Sequence, residues 1–135
     1  MSLSDTIDKS EKLYRVVKRS TPNCLTSSGK ATPALFKDPN GVSVDRDGGR
    51  PEEESVQFMK DFFGARAKAI GKVTADLCFI MQAEVSYDPK PNNPFHTLVW
   101  LDKENENHRN LQALQLADQC EIVKVYEDVQ WNEVS

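Results

Sequence analysis

The chain has 135 residues, of which 39% are hydrophobic and 28% charged, and its formal net charge is −4; that is one ordinary globular domain, and wholesale disorder is set aside. The acidic balance, with a pI of about 5.2, disfavours nucleic acid as the main partner, since such binders carry a basic face. The longest apolar run, residues 77–81, falls far short of the roughly 20 residues of a membrane helix.

Residues 1–11 are polar, show no apolar secretory segment, and are expected to fray. Leu13-Tyr14-Arg15-Val16-Val17 is rich in β-branched and aromatic types and predicts a first strand. It ends at the turn formers Ser20-Thr21-Pro22-Asn23. The stretch 26–40 is rich in Ser, Gly, Pro and Lys, with one apolar island at Ala34-Leu35-Phe36. Such a stretch is either a functional loop or a loop pinned to the core by Phe36. Asp38-Pro39-Asn40-Gly41 is a turn signal, and Val42-Ser43-Val44-Asp45 then alternates as a short half-buried strand.

Pro51 followed by Glu52, Glu53 and Glu54 predicts a helix start, because acids complement the positive end of the helix dipole. Val56, Met59, Phe62 and Phe63 share its buried face, and Gly64 stops it. The small-charged alternation over 65–73 predicts a strand. Thr74-Ala75-Asp76 opens a short helix over 74–81, and a strand follows at 85–87. Three prolines between 89 and 94 stiffen the next loop. Thr97-Leu98-Val99-Trp100-Leu101 is the most apolar strand and is expected at the sheet centre, with Leu98 and Phe62 in the core. A last helix over 107–119, a closing strand over 122–126 and an acidic tail over 127–135 complete the chain. The expected fold is α+β, a single domain with a small mixed or antiparallel sheet of five or six strands and two main helices.

Candidate chemistry is sparse. Cys24, Cys78 and Cys120 are far apart and never in a C-x-x-C pair, so neither a disulfide framework nor a zinc site with His96 or His108 is expected, and no cofactor motif is present. No serine lies in a G-x-S-x-G context. His96 sits where a proline-stiffened loop enters an apolar strand. It can serve as acid, base or donor, or it can simply bond a backbone carbonyl and hold its loop. Asp45 and Arg46 end the second strand, where they could orient a ligand's phosphate or amine, or else form an ion pair or let the aspartate cap the turn. Arg15 needs a partner if its strand is central, and is merely exposed if the strand lies at an edge.

The ordered motifs Leu13-Tyr14-Arg15, Pro33-Ala34-Leu35-Phe36-Lys37, Val42-Ser43-Val44-Asp45-Arg46 and Asn93-Pro94-Phe95-His96-Thr97-Leu98 resemble a family of small bacterial proteins with L-Y-R, S-V-D-R and N-P-x-H-x-L motifs and no assigned activity. The resemblance spans roughly residues 13–101. It implies a bacterial, cytoplasmic setting and directs interest to Arg15, Asp45, Arg46 and His96. It departs from the family at Thr32-Pro33, where two serines are usual.

Two functions of different class stand as expectations. The first is a non-catalytic interaction or accessory module whose partner is another protein. The second is a small enzyme or ligand-binding protein with a polar pocket around Arg15, Asp45, Arg46 and His96, taking a small-molecule ligand.

Overall fold

The computed structural model describes residues 3–126. Six strands, β1 (Lys12–Lys18), β2 (Val42–Arg46), β3 (Ala67–Thr74), β4 (Glu84–Tyr87), β5 (His96–Trp100) and β6 (Glu121–Val125), form one antiparallel sheet in the order β4-β5-β2-β1-β3-β6. With helices α1 (Glu52–Phe63), α2 (Ala75–Ile80) and α3 (Glu106–Gln119), this is the α+β architecture expected. The acidic tail expected over 127–135 lies outside the described residues. No described helix is long and apolar enough to cross a membrane.

The strand period of two divides the side chains between the two faces of the sheet. Tyr14, Val16 and Ile70 point to the side covered by α1, where Met59 packs on them with Val56 and Phe63. Leu13, Val17, Val42, Val44, Val73 and Val99 point to the opposite side. There they meet Cys78 of α2, Ala113, Leu116 and Ala117 of α3, and Leu35 and Phe36. The apolar island of the long loop is therefore pinned: residues Pro33–Phe36 form one 3-10 turn, with Phe36 only 1% exposed.

Local signals explain most boundaries. Pro51 caps α1, so the helix begins one residue later than the proline itself, and three glutamates fill its first turn. Gly64 ends it at φ 58°, in the left-handed region that glycine enters without steric cost. Thr74 caps α2, its hydroxyl accepting from the Leu77 amide at 3.1 Å.

Three expectations change. The most apolar strand, β5, is second from the edge, and the centre belongs to β2 and β1. Leu98 and Phe62 are half-buried, whereas Val99, Thr97 and Met59 are fully buried. The physical reason is the open space beside the sheet: Phe62 lines a cleft rather than the core, and Leu98, opposite Ser43 in the register, lies on the face of β5 away from the core that buries Val99. The third change concerns the first residues. Far from fraying, Ile7 joins the core at 6% exposure, and the Arg46 guanidinium donates to the carbonyls of Ser4 and Thr6.

Candidate functional site

The ladder between β1 and β2 contains only two residue pairs, Leu13–Arg46 and Tyr14–Asp45. Past Tyr14 and Asp45 the two strands are unpaired, and Arg15 spans the gap. Its Nε donates to the Leu35 carbonyl at 3.0 Å and its Nη1 to the Ser43 carbonyl at 2.9 Å. The sequence posed the choice of a partnered central arginine or an exposed edge one. The strand is central, and the partners are carbonyl oxygens.

A cleft of about 510 Å³ opens at this gap, within the usual size of small-molecule sites. Met59, Phe62 and Phe63 of α1 form one wall, Ala34 and Leu35 another, and Ser43, Asp45, Asn93 and His96 line the side facing β2 and β5. Five cationic side chains, Arg15, Lys18, Lys37, Arg66 and Lys90, face two carboxylates, Asp38 and Asp45. The lining is thus positive in a chain whose net charge is negative.

His96 enters from the start of β5, opposite Asp45 in the register. Its Nδ1 lies 3.0 Å from the Asp88 carbonyl and 3.1 Å from Asp88 Oδ2, while Nε2 lies 3.1 Å from Ser43 Oγ. Both partners of Nδ1 are acceptors, so Nδ1 carries the proton in the neutral ring and Nε2 accepts from the Ser43 hydroxyl. Lys90 bonds the Asp88 carboxyl at 3.1 Å and, helped by His96, holds it below its usual pKa.

Asp45 is 3% exposed. Its Oδ1 accepts from Asn93 Nδ2 at 2.9 Å, and Oδ2 has no hydrogen-bond partner among the described residues. Burial raises the Asp45 pKa, against the Asn93 bond and the nearby charges of Arg50 and His96. Buried Asn93 in turn accepts from the Phe95 amide, which fixes the loop leading into β5. Burial also lowers the Arg15 pKa, against the pull of Asp38.

Of the four residues singled out in the sequence, Arg15, Asp45 and His96 therefore meet at the cleft, and Arg46 does not. Arg46 lies on the opposite face, bonded to both carboxylate oxygens of Glu11 at 2.9 and 2.6 Å and stacked on the Tyr87 ring at 4.6 Å. Its role is to pin the first segment to β2. Sequence reasoning missed Ser43 and Asp88. Ser43 was legible only as the polar member of an alternating strand, because the register with β5 is what brings it to His96. Among the described residues, no group of three or more His, Cys, Asp or Glu is placed to hold a metal ion. His108 instead bonds Asp102 at 2.9 Å beside the start of α3.

No protein-family model matches the chain, and neither the curated proteins nor the solved structures give a match.

Proposed function

We propose that the chain is a small-molecule-binding protein whose cleft takes an anionic ligand bearing a phosphate or carboxylate. The observation that carries this reading is Arg15. It is a half-buried cation on a central strand, bonded only to carbonyl oxygens, with no carboxylate within ion-pair distance among the described residues. A desolvated charge with no ion-pair partner in contact is costly, and proteins normally supply one. The excess of lysine and arginine around the cleft attracts the same kind of ligand. Phe62 and Phe63, half-buried at the wall, offer apolar contact to the rest of it.

The test compares adenosine 5′-monophosphate with uncharged adenosine by amide NMR titration. The phosphate compound is expected to shift the amides of Arg15, Ser43 and His96, and Lys18→Glu with Lys37→Glu to weaken it about tenfold or more, as loss of close charge pairs does. Both lysines are solvent-exposed, so folding is spared. Equal response to the two compounds, or indifference to the double charge reversal, overturns the reading. The interaction module ranks second and rests on Leu111 and Leu114, one turn apart on α3 and each about half exposed.

A further inference from the structure

Anion binding needs cations, and it does not need a serine hydroxyl chained through an imidazole to a carboxylate. We propose that Ser43 is a nucleophile with His96 as its base, and that the cleft hydrolyses small carboxylic esters carrying an anionic group. This rests on the anion-binding reading above.

Three features of the arrangement point that way. First, the ring tautomer is fixed by two acceptors on Nδ1, the Asp88 carbonyl and Oδ2, which leaves the Nε2 lone pair on Ser43 Oγ at 3.1 Å. That is hydrogen-bond reach from nucleophile to base, with the base oriented by a third group. Second, the unit is accessible yet fixed. Ser43 and His96 both line the cleft, and the His96 side chain is 16% exposed and tied at both nitrogens. Third, the Arg15 guanidinium donates to the main-chain carbonyl of Ser43 itself, and its remaining N–H groups have no partner among the described residues. A positive group next to the nucleophile is where developing oxyanion charge is best stabilised.

The chemistry balances with water as the only co-reactant. Ser43 Oγ bonds to the ester carbonyl carbon as its proton passes to His96 Nε2. The carbon–alkoxy bond then breaks, and the alkoxide leaves with the Nε2 proton, giving the alcohol and acyl-Ser43. Water attacks the acyl carbon, its proton passing to Nε2. The acyl–Oγ bond breaks, the carboxylic acid departs, and Ser43 regains its proton. Ser43 and His96 touch the reacting atoms. Asp88 is a positioning residue that acts through His96.

The experiment uses the full chain with 4-nitrophenyl hydrogen succinate, whose acyl group carries a carboxylate, beside neutral 4-nitrophenyl acetate. An alkyl fluorophosphonate serves as a covalent probe. The probe is expected on Ser43 by peptide mass. Nitrophenolate release is expected to favour the anionic ester, and to fall about a hundredfold or more in Ser43→Ala and in His96→Gln. Asp88→Asn is expected to lower kcat with KM unchanged and to alter the pH profile, and Asp88→Glu to recover part of the rate; a purely structural carboxylate moves neither. Ser43→Ala turning over at the wild-type rate, with the probe elsewhere, overturns the proposal. The adenosine 5′-monophosphate titration separates the two failures. Binding without label or turnover overturns the nucleophile and leaves the anion cleft, whereas no binding overturns both. Thermal melts of each variant confirm that the fold is intact before rates are compared.

Discussion

Asp45 and Arg46 are adjacent in the chain and serve opposite faces of the sheet: Asp45 lies buried at the cleft, while Arg46 holds Glu11 on the far side. Strand alternation makes this unavoidable. The pair therefore supplies two separable experiments, one on the site and one on the scaffold.

On the scaffold side, Glu11→Ala is expected to destabilise the fold by about 3 kcal/mol, because it strands a buried guanidinium. Burial alone would raise the Glu11 pKa, but the bonds from Arg46 and from the Asp8 and Gly48 amides lower it below 4.5. A lowered folded pKa means that this stability is present above the unfolded value and is lost as pH falls through the folded one. Urea melts should thus show the gap between variant and wild type at pH 7 closing at strongly acid pH. A constant gap would contradict the assignment.

On the site side the sign reverses. The folded pKa of Asp45 is raised above 3.8. The stability tied to its protonated form is fully present below the unfolded value and is lost as pH rises through the folded value. Asn keeps a neutral side chain throughout and preserves the acceptor for Asn93. Asp45→Asn is expected to gain about 1 kcal/mol at pH 7 and nothing near pH 3, read from denaturant midpoints. A loss at pH 7 would show that the ionised carboxylate is itself stabilising.

Met59 is 2% exposed, whereas Phe62 sits half-buried at the cleft wall. Met59→Ala should cost about 2–5 kcal/mol, the range for emptying a core site. Phe62→Ala should cost less than Met59→Ala and should weaken binding of adenosine 5′-monophosphate. Equal stability losses would mean that Phe62 is a core side chain rather than part of the cleft wall.

The three thiols are expected to be poor nucleophiles in the native state. Burial pushes Cys78 up to about 12 and Cys120 up to about 11, and it raises Cys24 as well. Alkylation depends on the thiolate. Iodoacetamide at pH 8 should therefore label the folded chain much more slowly than the urea-unfolded chain, as followed by intact mass. Fast labelling of native Cys78 would refute its placement in the core.

Element positions were legible because each rests on a local device: Pro51 and three glutamates for α1, the Thr74 hydroxyl for α2, and alternation for β2 and β3. Strand order was not, since it depends on pairings between segments far apart in the chain, and apolarity alone misplaced β5. The site was half legible for the same reason. Arg15, Asp45 and His96 are unusual residue types for their local setting, so they drew notice. Ser43 and Asp88 are ordinary where they stand, and acquire a role only through strand pairing: the Asp45–His96 register brings in Ser43, two residues back along β2, and the pairing of β4 with β5 brings in Asp88. Arg46 was grouped with the site because its partner, Glu11, is 35 residues away.

The two-pair ladder between β1 and β2 has a mechanical meaning. It divides the sheet into two rafts, β4-β5-β2 and β1-β3-β6, each laced internally by longer ladders. Arg15 is the crossbar between them, and an anion seated on it would touch both. Occupancy of the cleft would then be felt along the whole seam: its binding free energy would add directly to the cohesion of the two rafts, and the amides of Ser43 and Val16, which alternation turns toward the seam, would slow their exchange with solvent before those of Ile70 or Val99.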